Sequence, residues 1–125
     1  MSKIKIKTIL KNKTDIHEFS GKAIKTNNTI TYNDNNTLTK ITIDDTVSIE
    51  RKNDYYIKLN FKQTKTIQGT YETKEGNFNI KTETKELNIK KDSIKIKYNL
   101  IINNVFIDTF WFYLQYTIDR YHKYV

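Results

Sequence analysis

The stretch from Thr39 to Glu83, TKITIDDTVSIERKNDYYIKLNFKQTKTIQGTYETKEGNFNIKTE, decides the fold. Turn-forming residues cluster at Asp44 to Thr46, Lys52 to Asp54, Gln63 to Lys65 and Glu75-Gly76, and β-formers fill the intervals. Strand residues alternate faces with period two, and residues opposed across a ladder share a face. Pairing across the four turns aligns Ile41, Ile49, Ile57, Tyr71 and Ile80 on one side. The next row is Thr39, Arg51, Tyr55, Thr73 and Phe78. Odd positions up to Thr73 and even positions after Gly76 therefore look into a common centre, as in an antiparallel up-and-down sheet.

The flanking sequence extends the pattern. Lys3 to Leu10 alternates, with Ile4, Ile6 and Leu10 facing one way and lysines the other. Thr14 to Lys25 reads as a long bent strand, with Gly21 as the bulge or bend. Asn27-Asn28 and Asn33 to Asn36 supply turns on either side of Thr29 to Tyr32, and Thr37 to Ile43 enters the meander. Leu87 to Asp92 is expected to be a short turn of helix or an irregular link, and the tail from Arg120 to Val125 to fray.

Ile94, Ile96, Tyr98, Leu100 and Ile102 alternate up to an Asn103-Asn104 turn, but Val105 to Ile118 is apolar on both parities. A two-residue turn would bury Val105, Ile107, Trp111 and Tyr113. A three-residue turn or a bulge would bury Phe106, Phe110, Phe112, Leu114 and Tyr116, which hides more apolar surface and is the expected arrangement. Trp111 and Tyr113 would then face outward as a partner surface or as part of the sheet margin.

Strands recurring every 8 to 12 residues with no helix of useful length predict an all-β protein. A meander with few crossovers closes into a barrel, which removes edges that would otherwise invite aggregation. The expectation is one domain, an antiparallel up-and-down barrel of 8–10 strands with its core over residues 3 to 118. With 125 residues, the chain is long enough for one core and short for two.

Composition narrows the function classes. A mean hydropathy of -0.72 goes with the lack of any run near the ~20 apolar residues of a spanning helix. The residues after Met1 alternate charge with isoleucine, so no secretory signal is expected there. The chain has no cysteine, hence no disulfide framework, and a reducing cytoplasm fits. Its net charge of +8 and pI near 9.5 raise nucleic acid or an anionic partner, although a sequence rich in Lys, Asn, Ile, Tyr and Thr acquires such a charge from composition alone.

Val47-x-Ile49-x-Arg51, Leu59-x-Phe61, and the following Thr66, Gly69, Tyr71, Thr73, Gly76 and Phe78 resemble the YwiB-like family of small uncharacterised bacterial proteins. The resemblance runs from about Lys3 to Ile118, and Gly-x-Tyr-x-Thr-x-x-Gly is its most specific part. The chain departs from the family at Lys74-Glu75, where a Thr-Pro-aromatic turn is usual, and at Asn53, where a glycine is usual. The resemblance implies a calycin-like barrel, similar in shape to lipocalins and fatty-acid-binding proteins, and no established activity.

Chemistry could sit at Arg51. An inward guanidinium needs something to satisfy its five donors. With Tyr55, Tyr71, Thr73 and Phe78 it would form the polar end of a cavity for a small apolar or amphipathic ligand with an anionic group. Alternatively it closes the barrel mouth, reaches water and pairs with Asp54. His17 and His122 have no third ligand near them in sequence, so no metal and no cofactor are expected. Ser2, Ser20, Ser48 and Ser93 lack a nucleophile elbow, and Glu72 and Glu83 fall on the outward parity beside lysines such as Lys81 and Lys85, so the chain is not expected to be an enzyme. Binding of nucleic acid through the lysine-rich exterior, or of a protein through Trp111 and Tyr113, are the other readings. Either a monomer or a homodimer fits the sequence.

Overall fold

Alternation of lysine with isoleucine is enough to set the first strand, and the same rule propagates around the sheet. In the computed structural model, which describes residues 1–119, β1 (Ser2–Lys11) buries Ile4, Ile6 and Thr8 and exposes Lys3, Lys5 and Lys7. It pairs in unbroken register with β2 (Ile16–Thr26). Gly21 makes no bulge there. It lies opposite Ile6, and a Cβ at that position would sit 2.7 Å from the Phe19 ring, so the glycine makes room for Phe19 to stack on Tyr32 at 5.3 Å.

β3 (Thr29–Asp34), β4 (Thr37–Ile43), β5 (Val47–Lys52) and β6 (Tyr56–Phe61) continue the meander. Asn35 and Asn36 both take positive φ (51° and 66°), as a tight hairpin turn requires, and Asn does so at small cost. Inward parity holds throughout: Ile41 faces Ile49 and Ile49 faces Leu59, with Ile57 two residues along on the same side. The β5–β6 turn is displaced by one residue from expectation. Asn53 accepts a hydrogen bond from the Tyr55 amide at 3.1 Å and its own side-chain amide donates to Thr37 Oγ1 at 3.1 Å, so Tyr55 is drawn into the loop and Arg51 faces Ile57.

Two expected strands each divide. The chain from Thr66 forms β7 (Thr66–Gln68) and β8 (Thr70–Thr73), and the chain from Gly76 forms β9 (Gly76–Phe78) and β10 (Ile80–Ile89). With β11 (Ser93–Ile102) and β12 (Val105–Ile118), the count among the described residues therefore rises to twelve, in a single antiparallel sheet ordered β7-β10-β11-β12-β1-β2-β3-β4-β5-β6-β8-β9. Tyr71 consequently faces Phe78, and Ile80 belongs to the ladder with Ile102. The stretch Leu87 to Ile89, expected as helix or irregular chain, continues β10 against β11 after a bulge at Lys85, because its pairing with Ile94 to Ile96 satisfies the backbone better than an isolated turn.

The sheet curls until β6 meets β10. Thr82 Oγ1 donates to the Asn60 carbonyl, Asn60 Nδ2 donates to the Gln68 carbonyl at 3.0 Å, and Gly69 N donates to the Ile80 carbonyl at 2.9 Å. The segment Thr66 to Thr73 thus pairs with β10 below and β6 above, crossing at Gly69. A Cβ on Gly69 would lie 2.1 Å from the Lys58 carbonyl oxygen, so only glycine allows the crossing.

In β12 a two-residue Asn103-Asn104 turn (φ 52° and 65°) is combined with a bulge at Ile107. The bulge flips parity, so Phe110, Phe112, Leu114 and Tyr116 turn inward and Trp111 and Tyr113 outward. Phe106 precedes the flip and, contrary to expectation, is exposed beside Val105 and Ile107. Ile4, Ile30, Ile41, Phe61, Ile94, Tyr98 and Leu114 belong to one core cluster that fills the barrel. Strand directions alternate, so the ends of β1, β3, β5, β8 and β11 and the starts of β2, β4, β6, β9, β10 and β12 all lie at one mouth. The expected fraying of Arg120 to Val125, and His122, fall outside the described residues.

Candidate functional site

Arg51 is the last inward-facing residue of β5, on the same side as Val47 and Ile49, which are buried. The pairing places it in a row that crosses six strands: Tyr32, Thr39, Arg51, Ile57, Tyr71 and Phe78. Adjacent members are about 4.8 Å apart along the ladder. Polar groups occupy one half of the row and apolar or aromatic groups the other. Tyr71 packs against Phe78 at 5.3 Å and edge-on against Tyr55 at 6.0 Å. Tyr55 and Phe78 are partly exposed at the mouth.

Of the residues singled out in the sequence, Arg51, Tyr71 and Phe78 share this row, and Tyr55 joins it through its ring contact with Tyr71. Thr73 is engaged elsewhere: its hydroxyl donates to the Gly76 carbonyl at 2.9 Å and accepts from the Glu75 amide at 3.1 Å, closing the β8–β9 turn. Arg51 makes no ion pair among the described residues, and Asp54 does not neutralise it.

Arg51, Thr37, Thr39, Asn35, His17 and Asp34 line a hollow of about 300 Å³ at the mouth. His17 Nε2 and Asp34 Oδ2 lie 2.7 Å apart across a place where β2 and β3 are no longer paired. The guanidinium also acts on two interior phenols. Burial pushes the Tyr32 hydroxyl up to about 12, while Arg51 pulls it down, Asp34 raises it, and the Thr8 and Thr39 hydroxyls lower it. Burial likewise pushes Tyr98 up to about 12, again opposed by Arg51. Both phenols therefore stay protonated at neutral pH and can donate hydrogen bonds. Tyr98 is held by rings on either side, 4.8 Å from Phe61 and 5.6 Å from Phe110.

Tyr32, Tyr98, His17 and Asp34 were not recognised as site residues in the sequence. Tyr98 stood out only as an aromatic in an alternating run, 47 positions after Arg51. Barrel closure alone brings it near.

Trp111 and Tyr113 lie on the outer wall. Lys11 and Lys97 place their ammonium groups 5.8 and 5.6 Å from the Trp111 ring centre, and Lys95 lies 5.9 Å from that of Tyr113. Glu83, also outward, accepts from Asn99 at 3.0 Å and pairs with Lys85 at 3.3 Å, contacts that hold its carboxyl below the usual range. Among the described residues no three His, Cys, Asp or Glu side chains gather as a metal would require, and no helix is long and apolar enough to cross a membrane.

Comparison with known proteins agrees with this architecture. No curated protein matches the chain. Among solved structures, the crystal structure of the ywiB protein from Bacillus subtilis is similar over 90% of this chain and 89% of that one, with a TM-score of 0.59 and 13% sequence identity, a likeness of fold. The family model described as a domain of unknown function, DUF1934, matches residues 3–114. With nearly the whole barrel covered by that match, the chain belongs to the DUF1934 family.

Proposed function

We propose that this barrel is a non-enzymatic cytoplasmic binding protein for a small amphipathic anion, held at the mouth with its charged group on Arg51 and its apolar part along Ile57, Tyr71 and Phe78. The observation that carries this reading is the inward guanidinium with no carboxylate in ion-pair range among the described residues. A half-buried cation in that state lacks the compensation such groups ordinarily have. A bound carboxylate or phosphate would supply it through charge-assisted hydrogen bonds. A core packed with side chains favours a ligand seated at the mouth over one deep in the barrel. The polar hollow of about 300 Å³ beside Arg51, at the lower end for small-molecule sites, suits a head group, and the apolar part would lie outside it, over Ile57, Tyr71 and Phe78.

Calorimetric titration with octanoate, decanoate and octyl phosphate tests the reading. Saturable binding is expected, at least tenfold weaker in Arg51→Gln, since a charged hydrogen bond contributes about 1.5–3 kcal/mol. Lack of heat at millimolar ligand, or equal affinity in the variant, would end it.

A further inference from the structure

The outer wall opposite this chemistry carries its own pattern. β1 sends Lys3, Lys5, Lys7 and Lys11 outward, and β11 sends Lys95 and Lys97 to the same side of the sheet. β12 lies between these two strands and presents Trp111 and Tyr113. The register is specific: Lys97, Trp111 and Lys11 form one cross-strand row, and Lys95, Tyr113 and Ile9 the next. Outward carboxylates lie on the flanking strands, Glu83 and Glu86 on β10, the latter opposite Lys97, and Glu18 on β2, while Asp108 of β12 shares the inward parity of Leu100.

Two hollows run along this wall. One, of about 370 Å³, is lined by residues including Lys11, Lys95, Lys97, Trp111, Tyr113 and, at its margin on β10, Glu86, and the other, of about 640 Å³, by residues including Lys5, Lys7, Gln115 and Thr117. Alternate residues of a strand repeat every ~6.7 Å. That repeat is comparable with the spacing of successive phosphates in an extended single strand. Rings two residues apart on β12 offer two stacking faces at the same repeat, next to the cations. Stacking tolerates any base, and lysines track the backbone, which is how sequence-independent single-strand binding is built.

We infer that the β11–β12–β1 wall binds single-stranded nucleic acid, with Lys3, Lys5, Lys7, Lys95 and Lys97 on phosphates and bases stacked on Trp111 and Tyr113. Charge complementarity selects a polyanion, and the interleaved rings select one with exposed bases. A duplex hides its base faces and cannot use the rings.

Trp111 is the chain's single tryptophan, so its fluorescence reports the site directly. Titration with a 20-nucleotide oligothymidylate at 50 mM salt is expected to quench it, with log K falling against log salt at a slope of about −3.5 for five phosphates neutralised. Lys5→Gln/Lys7→Gln is expected to reduce the magnitude of that slope by roughly 1.4, and Trp111→Ala to weaken binding roughly tenfold, read by anisotropy of a labelled oligonucleotide. Arg51→Gln should leave all of this unchanged, which separates this wall from the mouth. The lysine pair can be read even if Trp111→Ala does not fold. Absence of binding, binding without quenching, or equal quenching by heparin or by a duplex of the same length would overturn the inference.

Discussion

Thr39 and Arg51 stand directly opposite each other across the β4–β5 ladder, Thr39 almost wholly buried and Arg51 half-buried at the rim. That pairing fixes the guanidinium on the inner face, beside the hydroxyl of Thr39 and in the field of Tyr32 and Tyr98. Asp34 lines the same hollow, but among the described residues no carboxylate lies within ion-pair range of the guanidinium.

Replacing Arg51 by Met keeps most of the side chain's bulk and removes the charge. The variant is expected to be at least as stable as the parent, by up to about 1 kcal/mol in urea denaturation, while losing affinity for alkyl carboxylates. A loss of 2 kcal/mol or more would mean that Arg51 has a satisfied structural role.

Gly69 is expected to tolerate nothing larger. Alanine would drive its Cβ into the Lys58 carbonyl at 2.1 Å, forcing the backbone apart where the segment changes partners. A destabilisation of about 2–4 kcal/mol is expected, against about zero or a slight gain for a glycine in an unstrained site. An unchanged melting temperature for Gly69→Ala would show that the crossing can relax.

Thr82 and Thr84 are neighbours on the inner side of β10 with opposite hydrogen-bond status. Thr82 donates to the Asn60 carbonyl and joins the two sides of the seam, whereas the buried Thr84 hydroxyl has no hydrogen-bond partner among the described residues. Thr84→Val should therefore stabilise by about 1 kcal/mol, and Thr82→Val should destabilise by about as much. Thermal melts of the two variants that shift in the same direction would contradict this contrast.

Alkaline titration should set apart three tyrosines: Tyr56, pushed up to about 12 by desolvation and its hydrogen bond to Glu50, and the interior pair Tyr32 and Tyr98. An unfolded tyrosine ionises near 10, and these two are pushed up to about 12 chiefly by burial. Below pH 10 both states hold the proton and the stabilisation is complete. Between 10 and 12 the unfolded chain releases protons that the native chain keeps, so stability falls by about 2–3 kcal/mol per ring. Denaturation curves across this range check the slope, and tyrosinate absorbance at pH 11 in the folded protein should lack Tyr32, Tyr98 and Tyr56.

The alternation of side chains was legible without coordinates wherever one parity was polar. Lys3 to Lys7 against Ile4 and Ile6, and Ile94 to Ile102, needed no more than the period of two, because a one-residue slip would bury lysine. The asparagine pairs Asn35-Asn36 and Asn103-Asn104 likewise announced turns, since asparagine enters the positive-φ region at little cost.

What the sequence by itself determined was the strand class, the inward parity from Thr39 through Ile80, and the presence of Arg51 on the inner face. Tertiary structure decided the exact partners: the two-residue register slip that moved Tyr55 into a loop, the bulge at Ile107, and the division of one strand at Gly69. Parity is enforced locally by the penalty for burying charge. Register depends on loop hydrogen bonds such as those of Asn53, and the crossing at Gly69 depends on closure, which brings Lys58 and Ile80 together. Only when the ends of the sheet meet do Arg51, Tyr32 and Tyr98, remote along the chain, come to share one interior.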